Sequence, residues 1–151
     1  MEVIYCCYGG THTSVTVAAI HIGLLPTKSR PSPTEILALP YFDRGPRQPG
    51  HAFKLGVDEY GNNVYVAGLG PNRHVTAGAL SLVLSQSQVS EDELCIVDAL
   101  QCINMWVRLG GLLSRRLGMV RLGRPLCVYG ILLRYDCFVH LAEQVKARVA
   151  A

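Results

Sequence analysis

The sequence predicts an α/β fold: a three-layer sandwich whose mostly parallel central sheet carries an inserted β-hairpin. Three observations predict it. Short, almost wholly apolar runs at Val3–Cys7, Leu94–Val97 and Leu126–Tyr129 read as strands buried on both faces. Helical stretches alternate with those runs. Asp58-Glu59-Tyr60-Gly61-Asn62-Asn63, flanked by Phe53–Val57 and Val64–Ala67, reads as a hairpin, because Gly and Asn supply the positive φ angles of tight turns.

The remaining elements follow in order. Thr13–Leu24 reads as a helix with Thr11 or Thr13 as N-cap, and Gly23 and Pro26 mark its end. Lys28–Pro33 is a proline-bearing loop. Thr34–Leu39 reads as a short helix with Glu35 in its first turn, stopped by Pro40. Asp43–His51 holds two prolines, two glycines and two arginines, and reads either as a loop over a site or as a surface connection. Helices follow at His74–Leu84, at Ile103–Leu117, which Gly110-Gly111 weakens midway, and at Asp136–Val149, whose Lys146 and Arg148 suit the helix dipole.

Composition bounds the function. At 151 residues the chain reads as one domain, and with 50% hydrophobic and 17% charged residues it has a core to bury. A net charge of +3 does not demand nucleic acid. Arg108, Arg115, Arg116, Arg121 and Arg124 cluster without interleaved aromatics, which favours a solvated helix face over a nucleic-acid contact. No apolar run reaches the roughly 18–20 residues of a membrane span. Met1-Glu2 leads straight into the first strand without a signal peptide, so the six cysteines are expected to be reduced, in a cytoplasmic protein. No Cys-x-x-Cys pair supports a zinc or thioredoxin-type motif.

The chemistry concentrates in Cys7-Tyr8-Gly9-Gly10-Thr11-His12-Thr13-Ser14, where an apolar strand passes through two glycines into a helix. A helix N-terminus offers unpaired N–H groups and positive partial charge, and glycines let an anion approach the backbone. A phosphate-bearing small molecule is therefore the expected ligand. Gly9, Gly10, Thr11, Thr13 and Ser14 form its shell, and no cofactor is identified. His12 reads either as a donor or general acid at that site or as a plain loop histidine. Cys7 is either a nucleophile or the packed floor beneath the site. One hydroxyl suffices to cap the helix, and three exceed that need. Asp98, at a strand end, is a second ligand candidate or a helix cap. Asp43, His51 and His74 are candidates to line a pocket. Asp58-Glu59 fits solvated turn residues better than a metal or acid–base pair, and His21 and His140 read as packing or surface histidines. The alternative function is a protein-interaction module on a degenerate phosphate-loop-like fold, with a protein partner.

Resemblances refine this reading. The nucleotide-binding P-loop frame fails, since it asks for Gly at Cys7, Gly at His12 and Lys at Thr13. The frame Cys7-x-x-Gly10-x-x-Thr13-Ser14 resembles the cysteine loop of the phosphotransferase-system sugar components of the IIB type. That resemblance implies a phosphorylated strand-end cysteine. It is also similar to the loop of low-molecular-weight tyrosine phosphatases and arsenate reductases, which carry an arginine where this chain has Thr13. As a whole, Ile4–Ser14, Ala18–Pro26, Leu39–Asp43 and Gly56–Asn62 resemble a small bacterial family of uncharacterised function, found mainly in endospore-forming bacteria. That family implies no catalytic residues.

Overall fold

The computed structural model describes residues 1–44, 50–72, 74, 76, 78, 90 and 93–150. β1 (Glu2–Cys7) lies in a four-stranded open sheet with β2 (Ala52–Val57), β3 (Asn63–Gly68) and β4 (Leu94–Asp98), in the order β2-β3-β1-β4. β1 runs parallel to β3 and to β4, while β2 and β3 form an antiparallel hairpin. The hairpin turn closes as expected: Gly61 takes φ 83°, and the Asp58 N–H donates to Asn62 O at 3.0 Å. Among the described residues five α-helices accompany the sheet: α1 (Thr13–His21), α2 (Pro33–Leu37), α3 (Met105–Gly111), α4 (Val120–Leu133) and α5 (Tyr135–Val149).

Alternation along the strands sends Val3, Tyr5, Val64, Val66, Cys95 and Val97 into the main core with the helices, while Ile4, Cys6, Ala67 and Leu69 form a smaller cluster. The fold is thus mixed α/β. The expected helix His74–Leu84 lies mostly outside the described residues, as do positions 45–49 of the expected Asp43–His51 loop.

Helix ends follow local chemistry. α1 stops at a Schellman-type end in which Gly23 takes φ 78°, its N–H donates to Ile20 O, and the Leu24 N–H donates to Ala19 O. α2 begins with a capping box: the Glu35 N–H donates to Ser32 Oγ, and the Ser32 N–H donates to Glu35 Oε2 at 2.7 Å. The weak point at Gly110-Gly111 appears as a change of winding, since α3 passes into a π-helical turn over Leu112–Arg116.

Two expectations fail. Leu126–Tyr129 is not a strand but lies inside α4. A four-residue apolar run has no period of its own. The helix emerges from the burial of Gly123, Cys127, Val128 and Ile131 on one face, with Leu122, Tyr129 and Leu133 outward. α4 and α3 lie nearly backbone to backbone. A Cβ on Gly110 would sit 2.6 Å from Gly123 O and Cys127 N, so only glycine fits there. With that strand gone, one of the three strand pairings is antiparallel, and the sheet is mixed. The second failure concerns cysteine. Cys102, after β4, is disulfide-bonded to Cys137 in α5, whereas Cys6, Cys7, Cys95 and Cys127 remain buried thiols. Those two positions lie 35 residues apart in sequence, and only packing of α5 beside the end of β4 brings their Cα atoms to 5.8 Å. Among the described residues, no single helix is long and apolar enough to cross a membrane.

Candidate functional site

The loop from β1 to α1 folds back on the strand end. The Gly10 N–H donates to Cys7 Sγ at 3.0 Å, and Ser14 Oγ lies 3.2 Å from the same sulfur. Cys7 is buried and points to the helical side of the sheet, in register with Gly68. Gly10 is required for two reasons: φ is 71°, and a Cβ would meet Gly68 N at 2.6 Å. Its role is therefore close packing on β3. Gly9 is exposed, and a Cβ there would meet Thr11 Oγ1 at an ordinary 3.8 Å.

Neither expected threonine caps α1. His12 occupies the N-cap position without a side-chain cap bond, and Thr13 and Ser14 are the first helical residues. Helix geometry leaves the first-turn N–H groups without intrahelical partners. The Thr16 hydroxyl instead donates to His12 O at 2.9 Å. Thr13 Oγ1 is buried and, among the described residues, has no hydrogen-bond partner. Burying a hydroxyl without one costs roughly 1–3 kcal/mol.

His12 is held from three sides. Its Nε2 lies 2.9 Å from Asp43 Oδ1, its ring meets Phe42 edge-on with centroids 5.4 Å apart, and Gly111 leaves room beside Cε1 and Nδ1. Asp43 is the hub. Its other carboxylate oxygen accepts from Ser114 Oγ and, at 2.8 Å, from Arg124 Nε. Arg115 Nη1 donates to its carbonyl at 3.2 Å, and its own N–H donates to Thr11 O at 3.0 Å. Burial raises the Asp43 pKa, but the hydrogen bonds from His12, Ser114 and Arg124 outweigh it and hold the carboxyl well below its ordinary range. Asp43 also adopts φ 51°, in the left-handed region. Expected to line a pocket, Asp43 is found buried against the loop itself. Arg124 and Arg115, expected on a solvated face, reach the site from the second half of the chain.

Other candidates lie elsewhere. Asp98 stands in register with Cys6, one position short of Cys7, and accepts the Leu100 N–H at 2.9 Å, so it caps the turn after β4. Tyr129, at the end of the run expected as a strand, belongs to α4 and meets Trp106 edge-on. His51 and His74 are exposed. Asp58 is not a solvated turn residue. It is buried, accepts His21 Nε2 at 3.0 Å, and also takes the N–H groups of Tyr60 and Asn62. Glu59 pairs with Lys146. Among the described residues, no group of three or more His, Cys, Asp or Glu is placed to hold a metal ion.

No curated protein and no solved structure matches the chain. A family model does match, over residues 2–147. The sheet, the Cys7–Ser14 loop and the residues around Asp43 all fall within that match, and the chain belongs to a family of proteins of unknown function (DUF3189).

Proposed function

We propose that the chain binds a phosphate-bearing ligand at the strand–loop–helix segment Cys7–Ser14. One observation carries this reading: the loop wraps the Cys7 sulfur with the Gly10 N–H and the Ser14 hydroxyl beneath an N-terminus of α1 that has no side-chain cap. The first-turn N–H groups, together with the Thr11, Thr13 and Ser14 hydroxyls, form the anion's shell. The partnerless Thr13 hydroxyl supports it, since a phosphate oxygen would satisfy that group.

The chemistry that suits this shell is phosphoryl transfer or hydrolysis. Cys7 Sγ attacks phosphorus as a thiolate, an S–P bond forms, and the P–O ester bond breaks. His12 carries the Cys7 thiol proton to the leaving oxygen, and water then attacks phosphorus, so that the S–P bond breaks and inorganic phosphate and the Cys7 thiol are released. The missing loop arginine at Thr13 is the main departure from phosphatase-like loops.

A second reading is supported by the outward faces of α3 and α4. Met105, Leu109, Leu112, Leu122, Tyr129 and Leu133 are all exposed there, as expected of a protein-interaction module.

Thermal unfolding with inorganic phosphate separates the two readings. A ligand at 100 times its Kd that binds only the folded state stabilises it by about 2.7 kcal/mol. A shift in the wild type that His12→Ala abolishes supports the phosphate site. No shift with phosphate or sugar phosphates overturns it in favour of the interaction module.

A further inference from the structure

Asp43 gathers three side-chain donors on its two carboxylate oxygens, His12 Nε2, Ser114 Oγ and Arg124 Nε, with Arg115 on its carbonyl. These partners come from three separate parts of the chain: the loop before α1, the π-helical turn after α3, and α4. An ionised carboxylate only accepts hydrogen bonds. The 2.9 Å contact to Oδ1 therefore requires the proton on His12 Nε2. In the neutral imidazole, Nδ1 then carries the lone pair.

The surroundings of Nδ1 differ from those of Nε2. Its contact is with Thr11 Oγ1 at 3.5 Å, at the long limit of a hydrogen bond. On its other side stands Gly111, where a Cβ would lie 3.5 Å away, so position 111 puts no side chain against that edge of the ring. Arg124 adds a charge. A guanidinium has five N–H donors, and the bond to Asp43 uses Nε. Its side chain is 34% exposed, so the remaining donors reach solvent or a ligand.

We infer that Asp43 is the positioning residue of this site, holding His12 with Nδ1 as its working atom and Arg124 beside it as the cation that the loop lacks at Thr13. The inference rests on the phosphate reading and narrows it to a phosphate monoester or inorganic phosphate. Such a ligand carries two negative charges for Arg124 and the helix N-terminus. In its singly protonated form the phosphate also offers an O–H donor to the Nδ1 lone pair.

The test uses the full chain labelled with 15N-histidine and inorganic phosphate as the probe. Long-range proton–nitrogen spectra report which imidazole nitrogen carries hydrogen, and titration gives the phosphate Kd. The buried His21 provides an internal check of the fold. The wild type is expected to show His12 protonated at Nε2, with phosphate moving the Nδ1 resonance. Asp43→Ala is expected to mix the tautomers and weaken phosphate at least tenfold while the His21 signals stay in place. Arg124→Gln is expected to weaken phosphate to a similar degree without changing the His12 tautomer, which keeps the proposal testable if Asp43→Ala does not fold. A wild type with the expected tautomer and no phosphate response overturns the phosphate reading itself. Phosphate binding from the Nδ1-protonated tautomer, or binding of equal strength in the wild type and Arg124→Gln, overturns the positioning proposal alone.

Discussion

Two histidine–aspartate pairs sit among the described residues, and their chemistry is nearly the same. His12 Nε2 lies 2.9 Å from Asp43, and His21 Nε2 lies 3.0 Å from Asp58. Their surroundings differ. At His21 both nitrogens are spent, because the Tyr5 hydroxyl lies 2.6 Å from Nδ1. Both side chains of that pair are fully buried. Burial pushes the His21 pKa down against the pull of Asp58, so the ring is neutral, accepts from Tyr5 at Nδ1 and donates to Asp58 at Nε2. Asp58 is depressed to about 2, because bonds from His21, Asn62 and Tyr60 outweigh its burial. The His21 side therefore ties α1 to the hairpin turn. At His12 the ring keeps 11% exposure, and Nδ1 has only the long 3.5 Å contact to the Thr11 hydroxyl. The same pair of side chains makes a joint when sealed and a candidate proton carrier when one edge is left open.

The largest predicted effect breaks the sealed pair. His21→Ala opens a cavity in the core, takes one donor from the buried Asp58 carboxylate and leaves the buried Tyr5 phenol without its partner, and is expected to cost roughly 3–5 kcal/mol of stability. Urea unfolding measures it, and a cost below that of His12→Ala would reverse the assignment of roles. His12→Ala comes next. It is expected to lower stability by about 1–2 kcal/mol while abolishing the phosphate response. A large stability loss with intact phosphate binding would make His12 the structural member.

Acid is a gentler probe of the same comparison. His21 binds its proton more weakly in the fold than its ordinary value of 6.5, so the unfolded chain gains protons first as pH falls below that point. Stability is expected to be complete above this value and to decline beneath it. Asp58 adds a second decline, because its stabilising contribution, present above the ordinary 3.8, is lost as pH falls through about 2. Asp43 contributes with the same sign in the acid range. Unfolding free energy measured from pH 8 to pH 2 checks both slopes. A flat profile around pH 6 would mean that His21 is not held neutral.

The smallest effect is the most selective. Gly111→Ala places a methyl at ordinary contact distance from His12 Cε1 and Nδ1. Replacing a helical glycine by alanine gains about 0.5–1 kcal/mol. The variant is expected to be slightly more stable and to bind phosphate several-fold more weakly. Unchanged phosphate affinity, read by titration, would remove Nδ1 from the site.

The strand–glycine–helix segment was legible because every part of it is local. β1, α1, Gly23 and the hairpin turn express propensities and turn chemistry within a few residues. Asp43, Ser114 and Arg124 were illegible as a group, since they lie 31, 102 and 112 positions beyond His12. The signals were Asp43 as a polar residue near a loop and an arginine cluster, in which Arg108, Arg116 and Arg121 are exposed as expected but Arg115 and Arg124 turn to Asp43. Leu126–Tyr129 failed for the opposite reason. Its local pattern was too short to carry a period, and contact with Gly110 decided for helix.

By itself, then, the amino-acid order determined an α/β chain with a glycine loop leading into a helix, because backbone freedom, turn preference and hydrophobic alternation act between near neighbours. Tertiary structure decided which histidine is sealed and which is open, which arginine meets Asp43, and that Cys102 reaches Cys137. Those outcomes depend on burial and on contacts between distant segments, and neither exists until the sheet and helices have packed.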